Sequence, residues 1–221
     1  PALPLRDGGN IVCGNALRLD WGEVCPPPGA NEEVFIAGNP PFLGGRNMTA
    51  QQKNDTIAVF EEVPGTQKAL DMVAAWYFKA ANYIRGKRSA AALVATNSIC
   101  QGASVPALWP HILEAGIEIG FAHRTFKWKN NASANAAVMC VIVGLRNRTS
   151  AKKIVFDDTT GIEATNINAY LLNASDAFVT AERASLFGLP EMLFGNMPRD
   201  GGHLVLGVEE KSALEVAGFG R

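Results

Sequence analysis

The stretch that decides the fold is VFIAGNPPFLGG, residues 34–45. It opens on consecutive apolar residues, as does a strand that is buried on both faces inside a parallel sheet. Pro40 drives Asn39 towards extended geometry, and Pro41 fixes the next φ angle and offers no N–H donor. A polar amide, two carbonyl acceptors and the Phe42 ring therefore follow the strand, at the carboxyl end where open α/β sheets usually bind ligands.

The composition is that of a globular protein without a strong charge preference for its partners. The chain has 221 residues, of which 48% are hydrophobic and 19% charged, and its formal net charge is −1. This balance gives no overall attraction to nucleic acid or membrane, so DNA affinity requires a local basic patch. No stretch has the length of a signal-peptide core or a membrane span, which predicts a cytoplasmic protein without a membrane partner. Cysteine, histidine and carboxylate residues show no metal-ligand spacing, so no metal is expected.

The periodicity of the apolar residues predicts an α/β sheet with an antiparallel hairpin at one edge. Strands are predicted at 10–14, 34–38, 89–97, 117–126 and 136–145, with one helix from Thr66 to a stop at Gly86 and a short one capped by Ser104 and closed by Gly116. Residues 43–66 are interpreted as an irregular loop of the active-site type. The segment after Leu145 is polar and basic, which predicts one domain over 1–147 and a linker with the start of a second module over 148–221.

The Asn-Pro-Pro-Phe corner suits methylation of an exocyclic amine on a nucleic-acid base. The adenine N6 or cytosine N4 nitrogen is a poor nucleophile because its lone pair is delocalised into the ring. Acceptors on both of its N–H bonds, here the Asn39 side-chain oxygen and the Pro40 carbonyl, favour a more tetrahedral nitrogen that can attack the methyl group of S-adenosylmethionine. Phe42 can stack on the base once the base is flipped out of the duplex. A rigid turn without a catalytic role is the alternative interpretation.

Further blocks of sequence narrow the interpretation. They are GNPPFLGG (38–45), LDMVAAWYFKAA (70–81), ALVATNSICQG (92–102), FAHRTFKW (121–128) and PEMLFGNMPRDGGHL (190–204). Together they resemble MmeI-type restriction–modification proteins, over nearly the whole chain. The resemblance implies a polypeptide with an endonuclease, an adenine-N6 DNA methyltransferase on a Rossmann-like class I S-adenosylmethionine-dependent sheet, and a target-recognition domain. It also implies double-stranded DNA as the partner, with the flipped adenine held by Asn39, Pro40, Pro41 and Phe42.

The segment CGNAL (13–17) resembles the part of the family that contacts the adenine of the methyl donor. The resemblance makes Asn15, Ala16 and Leu17 cofactor-binding residues. Many amino methyltransferases have Asp where this chain has Asn15, and an amide can still accept a hydrogen bond although the charge is lost. Asn15 can equally be a turn residue at a strand end. Asp71 also has two interpretations, as a side chain that approaches the donor or as an N-terminal helix carboxylate.

The block HRTFKW (123–128) matches in position the family segment that helps to seat the flipped base. Phe126 or Trp128 can stack on the base. The candidates for phosphate contacts are Arg124, Lys127 and Lys129. The alternatives are core packing for the two aromatic side chains, which strand alternation places on one face with Arg124, and simple solvation for the cations.

The donor-binding half of the family fold is expected to lie outside this sequence. That half normally opens with a strand and a glycine-rich turn, and neither Gly8 and Gly9 nor the closing AGFGR stands in such a context. The family orders its strands 3-2-1-4-5-7-6, and this chain is expected to begin at strand 3. Residues 10–14 should then pair abnormally, pair with another chain or not pair at all. The chain alone should bind the donor poorly and be inactive, and the missing segment, upstream in the same polypeptide or in another chain, becomes a required partner.

Two other classes of function stay open at this point. One is a non-catalytic DNA-binding or assembly subunit that keeps a methyltransferase-like sheet as a scaffold. The other is the same chemistry on a different substrate, either cytosine N4 or a protein glutamine, since these reactions also use Asn-Pro-Pro-aromatic corners. The long tail after Leu145 favours DNA over a protein substrate.

Overall fold

The computed structural model describes residues 11–61, 63, 70–128, 138–180, 188 and 206–217. The chain forms two compact units, Pro1–Ala181 and Glu182–Arg221. The strands of the described residues are β1 (Val34–Gly38), β2 (Ser89–Thr96), β3 (Ile117–Trp128), β4 (Val138–Asn147), β5 (Lys153–Asp157) and β6 (Thr160–Ala164). The helices are α1 (Trp21–Val24), α2 (Ala50–Val59), α3 (Met72–Ile84), α4 (Ser104–Leu113) and α5 (Val208–Val216), and a 3-10 turn covers Asn97–Cys100. The second unit contributes α5 to this set.

The described strands form one six-stranded sheet in the order β1-β2-β4-β3-β5-β6. β1 and β2 are parallel, β4 is antiparallel to β2 and β3, β5 is parallel to β3, and β6 is antiparallel to β5. The run β1-β2-β4-β3 reproduces the 4-5-7-6 end of the strand order that the resemblance implies. The predicted α/β class and the partial methyltransferase sheet are therefore confirmed.

The predicted position of the antiparallel hairpin at the edge of the sheet is wrong, because β3 and β4 lie inside it. β5 pairs with β3 over Phe121–His123, and β5 and β6 form the edge after a turn in which Asp158 has a φ of +50°. The sequence does not predict β5, because the apolar part of this strand, residues 154–156, is short and follows a polar segment. The sheet continues past residue 147, where the sequence predicts a domain boundary.

The predicted strand at 10–14 is absent from its described residues. Ile11–Gly14 form no strand, Ile11 is 89% exposed, and Asn10 lies outside the described residues. A strand needs a partner for its backbone N–H and C=O groups, and no described strand pairs with the outer side of β1. Among the described residues, 11–14 therefore agree with the expectation that this segment does not pair.

The interpretation of residues 43–66 as irregular is wrong for α2. The helix begins with a capping box, in which Thr49 and Gln52 satisfy each other's backbone N–H groups. Its buried positions are Asp55 and Thr56, so α2 has no apolar face from which periodicity could predict it.

Two predicted helix starts are wrong, whereas the predicted stops are confirmed. The helix predicted from Thr66 is α3, which begins only at Met72, after the non-helical residues Leu70 and Asp71. Its stop is confirmed by Gly86 at a φ of +69°. Gly116, at a φ of +82°, closes the segment after α4. Ser104 is not the cap of α4, because the helix begins at Ser104 itself and has no side-chain cap hydrogen bond. Thr66 lies outside the described residues.

The helix α3 packs against the sheet and spans it from end to end. The Tyr77 hydroxyl donates to the carbonyl of Leu93 in β2, and the Tyr77 ring meets Trp109 of α4 edge-on at 6.1 Å. Burial raises the pKa of Tyr77 above its ordinary value. The start of α3 lies beside the chain that follows β1, since the Met72 N–H donates to the Leu43 carbonyl at 3.0 Å.

The other end of α3 is fixed at the amino end of the sheet, the end at which β1, β2 and β3 begin. There the Asn147 side chain donates to the carbonyls of Ile84 and Lys87 at 2.8 and 2.7 Å. Its oxygen accepts from the Gly86 N–H at 2.7 Å. One amide thus closes the turn between α3 and β2.

A buried carboxylate ties β3, β4 and β5 together at this same amino end. The Glu118 side chain is 5% exposed and accepts from Arg146 Nε at 2.8 Å and from the Thr149 N–H at 3.3 Å. Its second oxygen pairs with Lys153 Nζ at 3.0 Å. Burial opposes the charge, but the hydrogen bonds from Lys153 and Arg146 outweigh it and hold the pKa of Glu118 below its usual value. Glu118 is therefore an ionised structural residue.

Candidate active site at the carboxyl end of the sheet

The strand register brings most of the predicted site to one place, the carboxyl end of the sheet, at which β1, β2 and β3 finish. Gly38, the last residue of β1, pairs with Leu93, so Asn39 directly follows the end of β1 while β2 continues to Thr96. Thr96 faces Cys140 of β4, and Cys140 faces Phe126 of β3. Asn39, the end of β2 and the aromatic block of β3 therefore share one end of the sheet.

The Asn-Pro-Pro-Phe corner presents acceptors without partners among the described residues. Asn39 and Pro41 are exposed, Pro40 is buried and Phe42 is half-buried. Within the described chain, no group donates to the Asn39 side chain or to the Pro40 carbonyl, whereas the Pro41 carbonyl accepts from the Leu43 N–H at 3.1 Å. The corner can thus accept two hydrogen bonds from an incoming amino group through the Asn39 and Pro40 oxygens.

The loop that follows the corner is held by Asp71, the residue before α3. Asp71 Oδ1 accepts from the Gly45 N–H at 3.2 Å, and Oδ2 accepts from the Ser98 hydroxyl at 3.2 Å. Ser98 in turn lies 2.6 Å from the Thr96 hydroxyl oxygen. Thr96 and Ser98 were not identified as site residues from the sequence. Both are polar and follow the apolar run of β2, and this pattern could have indicated them.

The predicted donor-binding residues form a tight turn rather than the end of a strand. Asn15 Oδ1 accepts from the Leu17 N–H at 3.0 Å, and Asn15 Nδ2 donates to Asp55 at 2.8 Å. Arg18 Nε donates to the other Asp55 oxygen at 2.8 Å. Leu17 is 5% exposed and belongs to the core. Asp55 was not identified from the sequence as a partner of Asn15, because Asp55 lies on the polar helix α2, which was not predicted.

An apolar groove of about 300 Å³ joins this turn to the end of β1. Its walls include Gly14, Ala16, Ile36, Gly38 and Trp76. The groove therefore reaches the residue before Asn39. The flat faces of an aromatic heterocycle can pack against walls of this kind.

The aromatic block of β3 is arranged differently from simple strand alternation. The pairing of β3 with β4 shifts register between His123 and Phe126, and the rings of these two residues meet edge-on at 5.4 Å. The extra residue places His123, Phe126 and Trp128 on one side, so the predicted shared face of Arg124 with the two aromatic residues is wrong. Phe126 is half-buried, whereas Trp128 is 38% exposed at the end of the strand.

The three phosphate candidates differ in their surroundings. Arg124 already pairs with Asp157 at 3.1 Å and donates to the Leu171 carbonyl at 3.2 Å. Lys127 is exposed and has no partner within the described parts of the chain. Lys129 lies outside them. The described residues also contain no group of three metal-ligating side chains and no helix long and apolar enough to cross a membrane.

Comparisons with known proteins give a consistent family. The family model described as MmeI, DNA-methyltransferase domain, matches residues 1–157, and that described as MmeI, target recognition domain, matches residues 173–218. DNA methyltransferase A of Bacillus subtilis (strain 168) is 41% identical over 211 residues, which are 95% of this chain and 24% of that protein. A solved structure of the type IIL restriction-modification enzyme MmeI in complex with DNA matches with a TM-score of 0.83 and 41% identity, over 94% of this chain and 28% of that one.

The chain spans about a quarter of the length of these two relatives. The methyltransferase model nevertheless covers most of the chain, and the MmeI fold is reproduced over almost all of it. The chain therefore belongs to the MmeI family of restriction–modification proteins.

Proposed function

We propose that this chain is the base-binding part of a DNA methyltransferase that transfers a methyl group from S-adenosylmethionine to adenine N6. The observation that carries the proposal is the pair of open acceptors, the Asn39 side-chain oxygen and the Pro40 carbonyl, at the end of a parallel strand. They match the two N–H bonds of an exocyclic amine. Family membership supports DNA as the substrate.

The residues act on the amino group by position and charge rather than by removing a proton first. The two oxygens accept the two N–H bonds, which favours a tetrahedral nitrogen and localises its lone pair. Phe42, which is half-buried, stacks on the flipped base and holds it in the plane that these acceptors require. No strongly basic side chain is needed, because orientation of the nitrogen and electrostatic stabilisation by the two acceptors supply the rate gain.

When bound, the methyl donor would supply an electrophilic methyl group on a sulfonium centre. The nitrogen–carbon bond would form as the sulfur–carbon bond breaks, the thioether would leave, and the methylated nitrogen would lose one proton to solvent. The apolar groove beside Gly38 fits the adenine ring of such a donor, and Gly14 and Ala16 would line the ring. Asn15 retains one lone pair on Oδ1 beyond its bond to the Leu17 N–H, so it can accept from an amino group. Leu17 supports this turn from the core.

Additional polypeptide is proposed to complete the donor site. β1 pairs on one side with β2, and its outer side has no partner among the described strands. Phe35 of β1 is 74% exposed, although parallel strands are normally covered on both faces. A segment upstream in the same polypeptide, or another chain, would pair with β1, and this chain alone would then bind the donor poorly and transfer no methyl group.

Double-stranded DNA is proposed to approach the carboxyl end of the sheet. Trp128 and Phe126 offer rings for stacking, and Lys127 offers an exposed cation for a phosphate. Residues 173–218, which match the target-recognition model, would read the sequence around the adenine. The proposed location is the cytoplasm, where such DNA is accessible.

Transfer of a labelled methyl group from S-adenosylmethionine to DNA tests this proposal. The assay compares this chain with a version extended upstream through its natural reading frame, each beside its Asn39→Ala variant. Transfer by the extended protein alone, lost on Asn39→Ala, is the expected result. No transfer from either protein, with DNA binding retained, would favour the non-catalytic scaffold instead.

A further inference from the structure

We infer that Asp71 is a positioning residue for methyl transfer, because its carboxylate fixes the loop after the Asn-Pro-Pro-Phe corner against the chain that follows β2. This inference rests on the proposed function. Asp71 touches neither Asn39 nor Pro40 within the described contacts, so its effect would pass through the loop, Leu43–Gly45.

The position of Asp71 makes its contacts unusual. It is the N-cap residue of α3, with φ −71° and ψ 157°, and an aspartate there normally accepts from the N–H groups of the first helical turn. The Asp71 side chain makes no such cap bond. Helix α3 thus gives up a common stabilising contact, and the carboxylate is directed to two loops instead.

Both carboxylate oxygens are used, one for each loop. Oδ1 accepts from the Gly45 N–H at 3.2 Å, three residues after Phe42, and Oδ2 accepts from the Ser98 hydroxyl at 3.2 Å. The Leu43 carbonyl also accepts from the Met72 N–H at 3.0 Å, so two hydrogen bonds join the loop after β1 to the start of α3. The loops after β1 and β2 are therefore held to the same point at the start of α3.

A fixed distance between these loops matters because the proposed chemistry depends on orientation. The Asn39 and Pro40 oxygens must meet the two N–H bonds of one nitrogen while its lone pair faces the methyl group. A displacement of about 1 Å in such an arrangement costs about 100-fold in rate. The loop bearing Phe42 is anchored at Gly45, so loss of the anchor would lower the rate more than it would lower DNA affinity.

The test uses the longer natural protein and measures kcat and KM for DNA. Asp71→Ala should lower kcat about 10- to 100-fold, with KM for DNA changed less than about threefold, since phosphate contacts dominate DNA affinity. Asp71→Asn should recover most of the rate, because an amide can accept from Gly45 and donate to Ser98. Adding Ser98→Ala to Asp71→Ala should cause little further loss, since both variants break one linkage.

The matched control is Asn147→Ala. It removes three side-chain hydrogen bonds from the opposite end of α3, at the amino end of the sheet. It should lower the melting temperature and leave kcat unchanged at temperatures well below melting. A native kcat in Asp71→Ala, or equal losses of kcat in Asp71→Ala and Asn147→Ala, would overturn the inference.

Hydrogen exchange of the Gly45 amide separates this inference from the proposed function. Faster exchange at Gly45 in Asp71→Ala, but not in Asn147→Ala, supports the linkage without any measurement of methyl transfer. Unchanged exchange in both variants would overturn it. A parent protein that transfers no methyl group would instead contradict the proposed function.

Discussion

Both ends of the sheet carry polar residues. The two ends differ in how many of the hydrogen-bonding groups of these residues have partners within the protein. At the amino end, Glu118 accepts from Arg146, Lys153 and the Thr149 N–H, and Asn147 uses both its donors and its acceptor. At the carboxyl end, no described residue donates to the Asn39 side chain or the Pro40 carbonyl. Satisfied buried groups hold a fold together, whereas open acceptors at strand ends are available to a substrate.

This difference predicts that substitutions at the two ends change different quantities. Those at the amino end should change the free energy of unfolding, and those at the carboxyl end should change the rate of methyl transfer. Asp71 combines the two properties, since both of its carboxylate oxygens accept hydrogen bonds from the protein and one of them holds Gly45 in the loop that follows the open acceptors.

The largest effect is expected from Asn39→Ala in the longer natural protein. Loss of one of the two acceptors should lower kcat about 100- to 1,000-fold, as for removal of one donor from an oxyanion hole. The free energy of unfolding should change by less than about 0.5 kcal/mol, because Asn39 is exposed. Steady-state methyl transfer and urea unfolding measure the two quantities. A large loss of stability would show that Asn39 is part of the scaffold.

The opposite outcome is expected for Glu118→Ala. The substitution leaves Lys153, which is 12% exposed, without its carboxylate, and should destabilise the fold by about 3 kcal/mol. Below the melting temperature, kcat should equal that of the parent. An unchanged midpoint in urea would contradict the structural role assigned to Glu118.

The same carboxylate gives the amino end a dependence on pH. Because the pKa of Glu118 is lower in the folded state than in the unfolded state, its contribution to stability is present above the unfolded value, 4.5, and is lost as the pH falls through the folded value. The parent should therefore lose stability from about pH 5 downwards more steeply than Glu118→Gln. Urea unfolding at a series of acidic pH values measures this, and parallel curves would contradict it.

The smallest effect is expected from Trp128→Ala. If the indole stacks on a base, the substitution should weaken binding to DNA with a mispaired target base by about 1–3 kcal/mol. Met139→Ala is the matched control, since Met139 is a similarly exposed apolar residue that lies opposite Lys127 at the same end of the hairpin. Equal losses in both variants would indicate general apolar contact instead of stacking.

Local patterns in the sequence were sufficient for the elements that carry the corner. The apolar run of β1, the prolines after it and the helical period of α3 each depend on neighbouring residues, and the strand order then followed from the family resemblance. The helix α2 was missed because its buried positions are polar, and β5 because its apolar part is short.

The contacts that shape the site depend on distant residues. Asp71 reaches Gly45 and Ser98, which are 26 and 27 positions away, and no local pattern specifies such bonds. The register shift before Phe126 likewise moved the ring to the side of His123, against the alternation that the sequence predicts.

Nucleoside analysis of methylated DNA tests the central claim most directly. Duplex DNA is incubated with the longer natural protein and labelled S-adenosylmethionine, digested to nucleosides and separated, with Asn39→Ala as the control. We expect label in N6-methyladenine from the parent and none from Asn39→Ala. Label in N4-methylcytosine would show that the target base is cytosine instead of adenine. Label on protein alone, or equal N6-methyladenine from Asn39→Ala, would contradict methyl transfer to DNA through the open acceptors at the carboxyl end of the sheet.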